Sequence, residues 1–360
     1  MPIRRMMLQD TYLISSRGCG VKSFRVSPSP PVAAIDRART IAVVRARDVR
    51  WFWSLSLAPL LGGCQGDGGA GSCGESELLA RNADEVVLCT GLGESVVARV
   101  ALPSSSMPAP ASGRWPGVVL LHGSAGLFRE DGNQCTEEPH GRFTEWEQLL
   151  TERGYAVIMP ESFYSRGSCD RPPSGYDDRE LQVMRAYDAA AAARWLCSHP
   201  RVDCSRLAVM GFSHGASVAM LVMHEDLSDA LDPRLHDLEL PRFAAGVAYY
   251  PGCGLESELA SKLDEAEFDR YFFPTGPMWI PHASKDWLSE RCEELRDPQV
   301  RAVAIDRGIE KDMFQLEVYP GARHGFDVWF EGGPSADRKA RDDAQKRTLA
   351  KLEDWLELEQ

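Results

Sequence analysis

Residues 207–216 read Leu-Ala-Val-Met-Gly-Phe-Ser-His-Gly-Ala. An apolar run ends in Gly211, and Ser213 then stands midway between Gly211 and Gly215. A short run with no polar alternation suits a strand covered on both faces of a sheet. The glycines allow the chain to turn sharply from that strand straight into a helix, with the serine at the apex. The stretch therefore points to a sheet whose strands feed helices. It also marks Ser213 as a candidate nucleophile.

The rest of the chain repeats the same step. Glu85–Cys89 and Ser95–Ala101 read as opening strands. Gly117–Leu121, Tyr155–Met159, Leu207–Met210, Ala244–Tyr250, Met278–Ile280 and Phe314–Tyr319 read as further strands. Helices are expected over Phe143–Arg153, Arg179–Ser198, Ser213–His224 and Arg338–Leu358. Gly154 caps the first of them. Strands alternating with helices predict an α/β fold, with a mostly parallel central sheet and helices on both faces. Residues 76–360 read as one such domain.

A serine on a sharp strand-to-helix turn needs a base, and the base needs an orienting acid. In folds with this turn the acid and the histidine follow the serine in that order. His324 lies in Tyr319-Pro-Gly-Ala-Arg-His-Gly-Phe-Asp327, the loop after the last expected strand. There an imidazole can reach across the carboxyl edge of the sheet. His214 and His224 are too close to the serine in the chain, His236 sits in a charged stretch, and His282 precedes the acid. Asp286 follows the strand at Met278–Ile280 and is the expected acid, with Glu290 its nearest rival. It would hold the Nδ1 proton of His324 and fix its tautomer. The small-residue loop His122-Gly-Ser-Ala-Gly126 follows the third strand and can bring a backbone N–H to a substrate oxygen. Ser124 is the expected donor and Ala125 its competitor. The N–H of His214 is the second donor, and His122 braces the loop.

Together these segments resemble the dienelactone hydrolase family of the α/β-hydrolase superfamily. The residues that carry the resemblance are Val202-Asp-Cys-Ser-Arg-Leu-Ala-Val-Met-Gly-Phe-Ser-His-Gly215, Tyr250-Pro-Gly-Cys253, Ala283-Ser-Lys-Asp-Trp287 and Tyr319 to Asp327. The resemblance spans roughly residues 115–357. It implies hydrolysis of an ester, lactone or thioester through an acyl-enzyme. The founding enzymes carry Cys where this chain has Ser213, and the serine-bearing, exported branch is the closer likeness. The alternatives on the same fold are a peptidase, an acyl-transferase or a catalytically silent binding protein. This chemistry needs no metal or organic cofactor, and none is expected. The segment from Glu161 to Asp178 is expected to wall the pocket. Phe163, Tyr164, Trp287, Phe326 and Trp329 are candidate apolar contacts, with Arg129 and Arg166 as candidate partners for a substrate carboxylate.

The chain has a net charge of −13, which gives no basic footprint for nucleic acid. The expected partner is a small ester-type molecule. No apolar run is long enough for a membrane helix. The first 50 residues differ in kind, with ten Lys/Arg against Asp10, Asp36 and Asp48. They read as a disordered or mis-assigned extension. Residues 51–64 follow with a basic flank, a short apolar core and Leu61-Gly-Gly-Cys64, a secretory pattern with a lipobox-like end. Lipidation is expected at Cys64, and a Gly-rich linker follows at 65–75. A bacterial periplasmic or outer-membrane-anchored lipoprotein is the expected setting, touching membrane only through that lipid.

The chain has ten cysteines. Setting aside Cys19 and Cys64 leaves an even set, which fits an oxidising compartment. Neighbouring strands of the expected fold bring Cys253 and Cys292 together beside the acid loop, and the family resemblance points the same way. Cys197 with Cys204 and Cys135 with Cys169 are the next expected pairs. Cys73 with Cys89 is left by elimination.

Overall fold

Continuous apolar strands must be covered on both sides, and this requirement shapes the domain. In a computed structural model of the chain, the described residues are 80–357, less 109, 133, 226–232, 236, 254–271, 296–312 and 329–331. Cys64, Cys73, His236 and Trp329 lie outside them, as do the expected signal segment and linker.

In chain order the elements are β1 (Glu85–Cys89), β2 (Ser95–Ala101), β3 (Trp115–Leu121), β4 (Glu130–Asp131) and β5 (Gln134–Cys135). Then come α1 (Gly141–Thr151), β6 (Ala156–Pro160), α2 (Asp178–Ser198), β7 (Val202–Phe212) and α3 (His214–Val222). The described elements end with β8 (Ala245–Tyr249), β9 (Met278–Ala283), α4 (Ser289–Glu294), β10 (Phe314–Tyr319) and α5 (Ser335–Trp355). The main sheet has eight strands in the order β1-β2-β6-β3-β7-β8-β9-β10. β2 pairs antiparallel with both β1 and β6. The other pairings of this sheet are parallel, and β4 and β5 form a separate antiparallel pair.

Successive side chains on a strand point to opposite faces, so each parallel strand feeds two cores. Val119 and Leu121 of β3 join Leu207 and Val209 of β7 beneath α2 and α3. Val118 and Leu120 join Ala208, Met210 and Phe212 beneath α1 and α5. Truncating one such side chain to Ala costs about 2–5 kcal/mol. α2 starts with a reciprocal capping box, Asp177 with Glu180. Its alanines 189–193 are buried and allow close packing on the sheet.

β7 starts at Val202, five residues before the apolar run expected for it. Its first segment, Asp203 to Arg206, is polar and partly exposed, so hydrophobicity alone does not reveal it. Disulfides join Cys135 to Cys169, Cys197 to Cys204 and Cys253 to Cys292, with Cα separations of 5.3, 4.6 and 4.9 Å. Cys89 is also disulfide-bonded. Among the described residues no helix is long and apolar enough to cross a membrane.

Candidate active site

The turn between β7 and α3 places Ser213 at φ 52° and ψ −121°, a left-handed backbone that a non-glycine residue rarely adopts. The flanking glycines make it possible. A Cβ on Gly211 would sit 2.1 Å from the Gly215 carbonyl oxygen. A Cβ on Gly215 would sit 2.3 Å from the carbonyl oxygen of His122. The Ser213 N–H donates to the Tyr249 carbonyl on β8 at 2.9 Å, which anchors the turn to the neighbouring strand.

The loops after β9 and β10 lie against each other. The N–H groups of Ser284 and Lys285 donate to the carbonyls of Tyr319 and Ala322, at 3.1 and 2.9 Å. The Gly321 N–H donates back to the Ser284 hydroxyl at 2.8 Å. This stitching brings Asp286 to His324. The Asp286 Oδ2 makes a short hydrogen bond with Nδ1 of His324, and Nε2 of His324 lies 2.9 Å from Ser213 Oγ. Burial pushes the Asp286 carboxyl up, but the His324 hydrogen bond and the Leu288 N–H outweigh it and hold its pKa below the usual value. Asp286 therefore stays ionised and keeps the proton of His324 on Nδ1. That leaves the Nε2 lone pair facing the serine. Glu290 is exposed in the first turn of α4, and the carboxylate against His324 is that of Asp286.

His282 is buried beside Asp286, with its Nδ1 3.9 Å from the carboxylate. Its Nδ1 accepts from the Ala283 N–H, and its Nε2 lies 3.1 Å from the Pro251 carbonyl. Burial lowers its pKa. It is a neutral prop beneath the acid.

Tyr250 also has a positive φ, 42°, and its ring meets the His324 ring edge-on at 4.7 Å. Its hydroxyl makes a short hydrogen bond to Asp327 and receives one from Arg142 Nη1 at 2.7 Å. Arg142 Nε is 3.5 Å from the Asp327 carboxylate. This clamp holds the loop three residues beyond His324. Tyr250 and Asp327 stand in the segments that carry the family resemblance, yet nothing in the sequence pairs them with Arg142.

On the other side of Ser213 the loop after β3 is held from behind. His122 Nδ1–H donates to the Gly123 carbonyl at 2.8 Å, and the Gly126 N–H reaches the same oxygen at 3.1 Å. Nε2 of His122 lies 3.3 Å from Oε2 of Glu161, and both side chains are fully buried. Burial pushes the Glu161 carboxyl up to about 8 and the His122 imidazole well down. Both are neutral at pH 7, so the approach is a close contact between a carboxylic acid and an imidazole rather than a salt bridge. Among the described residues neither the Ser124 nor the Ala125 N–H has a protein partner. The His214 N–H opens α3, where no intrahelical acceptor exists.

Several of the expected substrate contacts are engaged by other parts of the protein. Arg166 is bound by both oxygens of Asp188 and by Glu94, and its side chain is only 5% exposed. Both terminal nitrogens are committed to Ser162, Asp188 and Glu94, and the remaining Nε is buried, so the group is not presented to a substrate carboxylate. Phe326 is buried against Tyr249, Tyr250 and Tyr319. Phe163 is buried against His122. The Tyr164 ring packs against Phe128 and under Arg81. Arg129 is exposed and donates to His140, which in turn binds the Ala125 carbonyl. Trp287 stands 84% exposed next to Asp286.

The profile of the dienelactone hydrolase family matches residues 104–356, well over half of the chain. No curated protein matches it in sequence. Among solved structures, a Klebsiella pneumoniae protein described as a dienelactone hydrolase superposes with a TM-score of 0.50 at 20% identity. That likeness covers 76% of this chain and 98% of the other. A puromycin-hydrolyzing peptidase from Mycobacterium tuberculosis superposes with a TM-score of 0.51 at 18% identity, over 76% of this chain and 40% of that one. At such identities the superpositions speak for the α/β-hydrolase fold alone. The profile match, running through the serine, acid and histidine loops alike, makes this chain a member of the dienelactone hydrolase family, an ester-cleaving hydrolase.

Proposed function

We propose that the chain is a serine esterase that cleaves a small ester, lactone or thioester through an acyl-enzyme on Ser213. The observation that carries this reading is the bridge made by His324, which touches Ser213 Oγ on one nitrogen and Asp286 on the other. His324 Nε2 takes the hydroxyl proton as Ser213 Oγ attacks the carbonyl carbon. Asp286 stabilises the imidazolium that results. The oxyanion rests on the N–H groups of His214 and Ser124. Ser124 is favoured over Ala125 because a trans peptide directs its N–H opposite to its carbonyl. The Gly123 carbonyl is tied back toward His122, so the Ser124 N–H faces the other way. His324 then protonates the leaving group. Water repeats the sequence on the acyl-enzyme and frees Ser213.

The test is covalent labelling. A fluorophosphonate should add one phosphonyl group at Ser213, and Ser213→Ala should abolish both labelling and turnover of nitrophenyl esters. Loss of the nucleophile typically lowers kcat by a factor on the order of 10⁴ or more. An active, correctly folded Ser213→Ala protein would remove the reading. Peptide anilides run alongside the esters separate an esterase from a peptidase on the same residues.

Export is part of the same proposal. The three disulfides support it, since such bonds persist in oxidising compartments. The mature protein is expected to begin at a lipidated Cys64. Intact mass of protein from its native host decides this: residues 1–50 still attached, with no lipid, would overturn it.

A further inference from the structure

One buried guanidinium joins the two backbone segments that supply the oxyanion donors. Arg185 lies within α2 and is fully buried. Its Nη1 donates to Nδ1 of His214 at 2.6 Å, and its Nη2 makes a short hydrogen bond to the carbonyl of His122. The Phe163 ring covers it, with the guanidinium 5.3 Å from the ring centroid. His214 directly follows Ser213, and His122 stands two residues before Ser124. The two arms of one rigid fork therefore hold both sides of the hole.

The charge itself is informative. Burying an unpaired cation costs several kcal/mol, so it persists only where its surroundings favour it. The carboxyls that act electrostatically on Arg185 are those of Asp188 and Glu161. Asp188 is already engaged through both oxygens by Arg166, and Glu161 is held neutral by burial. His122 and His214 are neutral as well, since burial and the nearby Arg185 lower both. Glu94 also binds Arg166, so the two guanidiniums and two carboxylates balance overall. Asp188 and Glu94 are turned to Arg166, however, and the Arg185 charge is the one that directly contacts the His122 and His214 segments, in a medium that screens it poorly.

We propose that Arg185 is a positioning residue for the oxyanion hole, fixing the His214 and Ser124 donors against each other while its charge favours the tetrahedral oxyanion over the ground-state ester. The proposal rests on reading Ser213 as the nucleophile. It predicts a specific kinetic pattern, because stabilisation confined to the transition state appears in kcat and not in KM.

The experiment compares wild type, Arg185→Met and Arg185→Lys on 4-nitrophenyl acetate, with an aryl trifluoromethyl ketone as the oxyanion-bearing inhibitor. Arg185→Met should lose about 10²-fold in kcat with KM nearly unchanged, and its inhibition constant for the ketone should rise by a similar factor. Arg185→Lys keeps the charge without the fork and should fall between the two. A folded variant with wild-type kcat overturns the proposal. So does a loss confined to KM. If Arg185→Met does not fold, Arg185→Lys carries the kinetic test. Nitrogen-15 spectra of the wild type then test the contact itself: Nδ1 of His214 should accept a hydrogen bond and the ring should stay neutral down to pH 4. A His214 that titrates like a free imidazole overturns the proposal. If wild type is neither labelled by fluorophosphonate nor active, the nucleophile reading fails and this inference with it. If wild type is labelled and active while both variants match it, only this inference falls.

Discussion

The two sides of Ser213 are built from different material. On the base side, His324 has 39% of its side chain exposed and sits on a loop stitched to the acid loop by backbone hydrogen bonds. On the oxyanion side, Glu161, His122 and Arg185 are fully buried and His214 is half-buried. A base that exchanges protons with substrate and water must be reachable. Donors that wait for a developing charge must be held still, and low-dielectric surroundings strengthen the hold. In the proposed mechanism, the contrast teaches that an accessible histidine serves proton transfer while buried neutral or fixed-charge groups serve geometry.

The largest test of that contrast is on the accessible side. Asp286→Asn should lower kcat by about 10⁴-fold, because the amide favours the wrong imidazole tautomer. Glu290→Gln should leave the rate unchanged. Steady-state kinetics on the two variants checks the pair, and the reverse result would move the acid to α4.

Covalent bracing gives the next effect. Cys253 follows β8 and Cys292 lies in α4, so their bridge ties the segment beyond Tyr250 to the acid side. Removing it with Cys253→Ser should cost about 2–5 kcal/mol and lower the melting temperature. The Cys197–Cys204 bridge closes a sequence separation of 7 rather than 39, so its loss should cost less in the loop-entropy account. Calorimetry of the two single mutants orders them, and equal losses would argue against that account.

The buried side should answer to pH through stability rather than rate. Glu161 has its pKa raised from 4.5 to about 8 in the folded chain. The folded state therefore holds the proton more tightly than the unfolded state. Its contribution is fully present below the unfolded value and is lost as pH rises toward about 8. Glu161→Gln keeps a neutral side chain facing His122 and should remove this slope, on the order of a few kcal/mol between pH 5 and 8. Melting curves at several pH values measure it. A variant whose stability falls as steeply as wild type would show that Glu161 does not carry the proton.

The smallest effect is expected at the clamp behind His324. Tyr250→Phe keeps the ring against His324 but drops the hydroxyl that links Arg142 to Asp327. One buried hydrogen-bonded group lost in this way corresponds to about 1–3 kcal/mol, felt as looser placement of His324 and a modest fall in kcat. An unchanged kcat with lowered stability would reduce the clamp to packing alone.

The fold and the accessible half of the candidate site were legible in the chain. The G-x-S-x-G turn, the apolar strands and the order Ser213, Asp286, His324 are local or ordinal signals that survive without contacts. Element boundaries were less so, as the polar start of β7 shows, because pairing with β3 extends a strand beyond its apolar run. Side-chain surroundings near the candidate site were hidden where the deciding partner is distant. Arg166 reads as a free cation until Glu94, 72 residues away, is seen to bind it. Phe326 reads as a pocket aromatic until three tyrosines enclose it.

By itself the sequence determined the architecture and singled out the candidate reactive residues, since hydrophobic periodicity, turn glycines and residue order act through neighbours along the chain. Only the tertiary structure decided which charges are buried, which carboxyl keeps its proton and which side chains hold the oxyanion loop. Arg185 meets His214 across 29 residues and His122 across 63. Arg142 meets Tyr250 across 108. The energy of a charged or hydrogen-bonding group depends on the solvent it loses and the partners it gains, and both are fixed only when distant segments pack together.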